Sequence, residues 1–292
     1  MLTRRKFLQA SATVAAAGAV AVAADAIFFE ATRPRLVQLE IPLARLPVAL
    51  DGLTIAQLSD FHYSDDLGEI PIRKAIEIVN RLQPHLVVLT GDFVTISVFS
   101  DLLHNAKQAA NDAEPCARLL SQLHAPLGVF ASLGNHDADS DAPRIIDAFQ
   151  AHGIAVLRNR SLPLEPDAGR LWLAGVDDVL VGKPDLDLSL RGIPREEPVI
   201  LLAHEPDFAD QAVRYPVDLQ LSGHSHGGQI RFPLIGAPYL PELARKYPRG
   251  LRRVGPLTLY TNVGLGTIRI PARLNCPPEV TLFTLRATNR EH

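Results

Sequence analysis

A chain of 292 residues that is 47% apolar and 21% charged has the make-up of a folded globular protein, not of a disordered one. It is long enough for one large domain or two small ones, each with a real core. The formal net charge is −3 and no long basic run follows the N-terminus, so a protein that grips a nucleic-acid backbone is not expected.

The first residues, Thr3-Arg4-Arg5-Lys6-Phe7-Leu8, lead into a soft apolar run from Ala10 to Ala24. A charged start, a moderately apolar middle and small residues at the end describe an export signal. The adjacent arginines resemble the twin-arginine type, and the Ala-rich run suits it. About 15 uninterrupted apolar residues fall short of the roughly 20 that span a bilayer. Residues 1–26 are thus read as a signal cut after Ala23 or Ala26, with an uncleaved N-terminal anchor as the alternative. The expected address is the periplasm or cell envelope.

Residues 27–52 read as an extension carrying an edge strand. Pro34, Pro42 and Pro47 surround the alternating Leu36–Ile41. The main domain is expected over 53–292. A strand over 53–58 ends at Ser59-Asp60. Ile72, Ile76, Val79 and Leu82 have helical spacing, and Pro84 stops that helix. A buried strand over 85–90 ends at Gly91-Asp92. A helical stretch is expected over 101–123, interrupted at Pro115. Another strand over 127–133 ends at Gly134-Asn135-His136-Asp137, and a helix follows over about 142–152. Later strands, at about 154–158, 171–176, 199–203, 218–222, 257–262 and 279–285, have fewer helices between them. The first half therefore predicts a β-α-β-α-β parallel sheet, and the second half a more antiparallel one. The expected architecture is α/β, two facing mixed β-sheets with helices outside. The two cysteines, Cys116 and Cys276, are far apart in sequence; a disulfide is one option, and two separate buried thiols are the default.

Ligand-type residues fall at strand ends. Asp60, Asp92, Asn135, His204 and His224 each stand at or just after one, and in open α/β sheets that rim is where sites are built. A lone aspartate there is usually a helix cap and a lone histidine a structural one; five together point to one site. In Asp60-Phe61-His62 and His224-Ser225-His226 the i and i+2 residues of an extended chain would face the same side. Carboxylate, amide and imidazole donors without cysteine favour first-row dications such as manganese, iron or zinc over a structural thiolate site.

The ordered set Asp-x-His, Gly-Asp, Gly-Asn-His-Asp, an isolated His, and Gly223-His224-Ser225-His226 resembles the calcineurin-like metallophosphoesterase superfamily over roughly residues 53–285. Gly227-Gly228-Gln229-Ile230-Arg231, Gly264-Leu265-Gly266-Thr267 and Asn275-Cys276-Pro277-Pro278-Glu279 resemble its bacterial exported, phosphodiesterase-like branch. The resemblance implies a four-layer sandwich and a binuclear centre. Asp60, His62 and His226 would hold the first metal and Asn135, His204 and His224 the second, with Asp92 bridging. His136 would act in catalysis as a proton donor or charge stabiliser. Asp137 would either orient His136 or serve as a helix N-terminal carboxylate. A metal-bridging hydroxide would attack a phosphate ester, most simply a phosphodiester.

Two stretches bear on the substrate. The apolar run 93–99 after Asp92 is either core or an apolar wall beside the site. Residues 231–253 mix apolar side chains with Arg231, Arg245, Lys246, Arg249, Arg252 and Arg253. They read either as a solvated Pro-rich loop or as a lid contacting lipid phosphates or an anionic membrane. A hydrolase of an envelope phospholipid or nucleotide-lipid pyrophosphate is therefore the narrower alternative. A zinc peptidase is disfavoured by the lack of His-Glu-x-x-His, and a non-catalytic envelope scaffold has no need of both donors and His136.

Overall fold

The computed structural model describes residues 3–63, 68–96, 106–166 and 169–288. Among them, two six-stranded sheets face each other. The first contains β1 (Arg35–Leu43), β2 (Thr54–Leu58), β3 (Leu86–Thr90), β4 (Val129–Ser132), β5 (Ala155–Val156) and β12 (Glu279–Ala287), in the order β1-β12-β2-β3-β4-β5. The second contains β6 (Arg160–Leu164), β7 (Leu171–Gly175), β8 (Val199–Leu202), β9 (Leu219–Ser222), β10 (Gly250–Val254) and β11 (Leu257–Thr261), in the order β10-β11-β9-β8-β7-β6.

The period-2 alternation of buried strands builds three layers of core. Leu86 and Val88 of β3 face the second sheet, where they meet Ile200, Leu202, Leu219 and Leu221. Val87 and Leu89 face outward onto helices α2 (Glu69–Leu82), α3 (Ala113–Leu120) and α4 (Asn135–Ala151). The outer face of the second sheet is covered by Phe208, Ala209 and Ala212. Helix α2 buries Ile72, Ile76 and Val79 and ends where Gln83 turns left-handed (φ 49°), just before Pro84.

Three expectations need correction. The second sheet is not mainly antiparallel: β7, β8, β9 and β11 run parallel, and only the edge strands β6 and β10 are antiparallel to their neighbours. Its central strands are buried on both faces and joined by crossovers, as parallel strands require. The segment 279–285 belongs to the first sheet, antiparallel to β2 and parallel to β1. Pro115 does not interrupt a helix. It lies in the first turn of α3, where no N–H bond is lost, and a 3-10 segment, Ala106–Asp112, precedes it; residues 101–105 lie outside the described residues. Helix α4 opens with a separate turn from Asn135 and breaks at Asp141 (φ −151°, ψ 78°); its second part, which ends at Ala151, is the helix expected over about 142–152. Cys116 and Cys276 are separate buried thiols.

The N-terminal helix α1 (Arg4–Ala24) has no buried residue, and helical turns continue it to Thr32. This 29-residue rod is long and apolar enough to cross a bilayer by length and composition, longer than the apolar count predicted. It runs through both expected cleavage points. From Ala26 onward it belongs to the domain: Ala26 is buried, and its carbonyl accepts the Arg273 N–H at 2.9 Å. Because β1 is parallel to β12 and β12 antiparallel to β2, β1 starts at the rim where β2 ends. The base of the N-terminal helix therefore sits at that rim.

Candidate metal centre

The parallel strands β2, β3 and β4 of one sheet and β8 and β9 of the other all deliver their C-terminal residues to this rim. Asp60, Asp92 and Asn135 come from the first sheet, and His204 and His224 from the second. Ligand atoms of Asp60, His62 and His226 lie within 4.8 Å of one another, as do those of Asp92, His204 and His224. Oδ2 of Asp92 stands between the groups, 3.2 Å from His204 Nε2 and 3.5 Å from His62 Nε2. The Asn135 side chain lines the same cavity, and its Oδ1 is buried without a hydrogen-bond partner.

Local backbone geometry does the gathering, and it is not the extended chain expected for the Asp-x-His and His-x-His pairs. Asp60, His62, Asp92, His224 and His226 all have φ between 43° and 66°. Non-glycine residues seldom adopt this left-handed region, and such strain persists only where surrounding bonds hold it. Here the N–H of His62 donates to the Asp92 carbonyl at 3.0 Å, and that of His224 to Asp60 Oδ1 at 2.9 Å. Phe61, between two donors, points into the core and stacks on Phe93. Two glycines leave the necessary room. A Cβ on Gly134 would fall 2.3 Å from Asp92 Oδ1, and one on Gly223 would fall 2.3 Å from Asp60 Oδ2.

Second contacts fix the imidazole faces. His204 Nδ1 lies 2.5 Å from the Thr90 carbonyl, which can only accept, so Nδ1 carries a proton and Nε2 is the nitrogen that faces the carboxylates. Nε2 makes no well-aligned hydrogen bond there. His224 Nε2 likewise donates to the Glu242 carbonyl at 2.8 Å, leaving Nδ1 for the centre. Burial lowers the pKa of His62 to about 3 and of His224 to about 4, and pushes His226 well down, so these rings are neutral and able to ligate. Burial would also lower His204, but the Asp92 and Asp60 carboxylates outweigh it and hold its pKa up. Burial, with Asp92 close by, raises Asp60 to about 6. Unpartnered buried acceptors facing one another are the chemistry of a cation site, and the donor set fits divalent metals.

His136 lies in the first turn of α4, its ring edge-on to that of His62 at 4.9 Å. Its Nδ1 accepts the Ile96 N–H at 3.0 Å, so the neutral ring carries its proton on Nε2. A ring nitrogen of His136 is also within 4.8 Å of ligand atoms of His62 and Asp92. Asp137 is fully buried. Its carboxylate accepts the N–H groups of Asp92 (2.8 Å), Phe93 (2.9 Å), Val94 (3.2 Å) and Gly134 (3.0 Å). It caps the helix and ties it to the Gly91-Asp92 turn, and what orients His136 is the Ile96 backbone.

The sequence reasoning missed several parts of the site. Phe93 and Val94 are core, and residues 97–99 of that run lie outside the described residues. The apolar wall comes instead from Ile230, Tyr239, Ile268 and Ile270, which line a cavity of about 500 Å³ together with the donors. Arg273, with no exposed surface, donates to the carbonyls of Val263, Gly266 and Cys276 and stiffens the loop whose Leu265 and Gly266 N–H groups bond to the Asp60 carbonyl. The glycines of Gly264-Leu265-Gly266 were the available signal: a Cβ on Gly264 would lie 2.6 Å from that of Asp60.

A two-sheet α/β sandwich with a buried double cluster of carboxylate and imidazole donors at one rim defines a binuclear metallohydrolase class. The model of the calcineurin-like phosphoesterase family matches residues 53–228. The metallophosphoesterase YkuE of Bacillus subtilis is 33% identical over 99% of both chains. The phosphodiesterase YaeI of Escherichia coli is 32% identical over 98% of this chain and all of its own. A transmembrane protein with a metallophosphoesterase domain from Danio rerio is 34% identical over 87% of this chain but 57% of its own. The chain belongs to the calcineurin-like phosphoesterase family and is a metal-dependent phosphoester hydrolase.

The crowding at Gly223 gives a specific expectation. Gly223→Ala should displace Asp60 and weaken metal binding at the Asp60, His62 and His226 cluster by about tenfold or more, the scale of effect seen when a ligand's support is disturbed. Titration calorimetry with manganese reads this; unchanged affinity for two ions would show that the crowding at Gly223 does not hold Asp60 in a metal-binding position.

Proposed function

We propose that the protein is a phosphodiesterase working through two divalent ions, Mn, Fe or Zn. Asp60, His62 and His226 would hold one, Asn135, His204 and His224 the other, and Asp92 both. The observation that carries this reading is the place of Asp92 Oδ2, within 3.5 Å of a histidine of each cluster. Bound there, such ions would supply an acidified water and positive charge beside the phosphoryl oxygens. His136 presents its Nε2 proton to the departing oxygen, and Ile96 N–H, bonded to Nδ1, keeps it in that tautomer. Asp137 is a positioning residue that fixes the Asp92 turn.

His136→Ala should keep both metals and lower turnover on an aryl phosphodiester about a hundredfold or more, the usual worth of a positioned general acid. Metal analysis beside kinetics checks it, since loss of an ion on this change would make His136 a ligand. Assay of a diester against a monoester with manganese tests the reaction class, and preference for the monoester would overturn the diesterase reading.

A narrower reading is favoured by the apolar wall of Ile230, Tyr239, Ile268 and Ile270: the ester carries an apolar portion, as a phospholipid or nucleotide-linked lipid does. Residues 1–26 act as a twin-arginine export signal or an anchor, and the domain from 53 onward works in the periplasm or envelope. The relative from Danio rerio, named a transmembrane protein, supports the anchor form.

A further inference from the structure

The exposed apolar side chains of this molecule are not evenly spread. Beyond α1, many crowd around the mouth of the metal cavity. Residues 232–236 form a tight hairpin closed by mutual N–H bonds between Phe232 and Gly236 at 2.9 Å. Its tip, Pro233-Leu234-Ile235, holds Leu234 in the left-handed region at φ 69° and leaves it fully exposed, with Ile235 at 79%. A leucine gains nothing from packing there, and its backbone conformation is one that non-glycine residues avoid. Nearby, Ile270 is 55% exposed and Tyr239 59%, with Arg269 stacked over the Tyr239 ring.

This rim is continuous with the base of the N-terminal helix. Gln229, just before the hairpin, receives the N–H of Ile268 and donates to the carbonyls of Ile268 and Ile270. Arg273 N–H bonds to Ala26, and Cys276 N–H to Glu30 Oε1 at 2.6 Å. The Cys276 thiol in turn donates to the His226 carbonyl at 3.3 Å. The helix base, with Phe28 and Phe29 exposed and Arg33 over the Phe29 ring, is thus two hydrogen bonds from a candidate metal ligand. Beyond the hairpin, the Lys246 ammonium pairs with Asp210, and the backbone N–H groups of Arg245 and Lys246 bond to Asp207. Of the stretch 231–253, Phe232, Leu234, Ile235 and Tyr239 carry most of the exposed apolar surface.

We propose that this rim is a bilayer-docking surface. The partner is a membrane containing anionic lipid. The apolar helix enters it, Leu234, Ile235, Phe28, Phe29 and Ile270 sit in its interface, and Arg231, Arg269 and Arg33 lie at headgroup depth, the arrangement that interfacial segments adopt. The metal cavity then opens at the level of lipid phosphates, beside its own apolar wall. A protein partner is less well matched, because the apolar hairpin and the helix of bilayer-crossing length share one rim. The inference rests on the phosphoesterase reading only in taking this cavity as the reacting one.

The test uses the full chain in vesicles of zwitterionic and anionic phospholipid. Leu234→Cys is labelled with an environment-sensitive dye; Cys116 and Cys276 are buried and leave the new thiol as the target. Val48→Cys, at the opposite end of the sandwich and 75% exposed, is the control. The expected result is a blue-shifted Leu234 label quenched several-fold by brominated lipid, with the Val48 label unaffected. An unquenched Leu234 label, or equal quenching at both positions, overturns the docking. Activity of the labelled protein on a soluble aryl phosphodiester reports separately on the catalytic reading. Asp92→Ala should leave the quenching unchanged, so that failure of one reading is distinguishable from failure of the other.

Discussion

Asp92→Ala is expected to abolish phosphodiester hydrolysis while the protein stays folded. Oδ2 of Asp92 lies 3.2 Å from His204 Nε2 and 3.5 Å from His62 Nε2, and Oδ1 accepts the His136 N–H at 3.0 Å. One carboxylate therefore faces both donor clusters and the helix that carries His136. Its loss would take away the one carboxylate that could serve both ions and leave their positive charge poorly compensated. Metal ions supply several kcal/mol of transition-state stabilisation, and at about 1.4 kcal/mol per tenfold this amounts to about a thousandfold in rate. Manganese content should fall below two ions per chain. Turnover within tenfold of the parent, with two ions still bound, would sink the binuclear reading.

Asp137→Ala is expected to cost stability rather than chemistry alone. The side chain is fully buried, and both oxygens are used, taking four backbone N–H groups from two separate segments. Burial, reinforced by Asp92, raises the pKa of this carboxyl to about 8, so the position is costly for a charge. Four N–H donors on its two oxygens work the other way and favour the ionised form. Removing the acceptor strands those donors in the interior. Each buried donor left without a partner costs about 1–3 kcal/mol. These costs are not additive, because the turn relaxes and water enters, so a loss of about 3–5 kcal/mol is the expected sum. That is a large part of the roughly 5–15 kcal/mol holding a domain together. Urea unfolding measures it. Asp137→Asn keeps one acceptor oxygen and should recover part of the loss. An alanine variant as stable as the parent would show that the N–H groups find other partners.

Much of this fold is written in local pattern. Strands such as Leu86–Thr90 and Val199–Leu202 are continuous apolar runs, and the donors follow them directly, so the rim and its residue types are legible. Edge strands are not. Arg160–Leu164 contains a proline, and Gly250–Val254 is largely exposed and carries two arginines, so neither shows the alternation that marks a strand. Sheet partners are a long-range property, and nothing near Glu279 announces that it joins the first sheet. The site shows the same division. Spacing reveals that His224 and His226 belong together. It does not reveal that they meet through left-handed turns, because that strain is held by bonds to Asp60, 164 residues away. Asp137 looks like a catalytic neighbour of His136 in sequence. Only the fold reveals that its oxygens face the Asp92 turn.

Each donor cluster draws from both sheets: Asp60 and His62 with His226, and Asp92 with His204 and His224. Each ion would therefore act as a rivet between the two leaves at one edge of the sandwich, beside the apolar packing and the Arg45–Asp218 pair that join the leaves elsewhere. Ligand binding stabilises a fold by its own mass action, and here that stabilisation is applied where the leaves carry strained turns and buried charge. Metal supply thereby becomes a clasp on the architecture as well as the source of its chemistry.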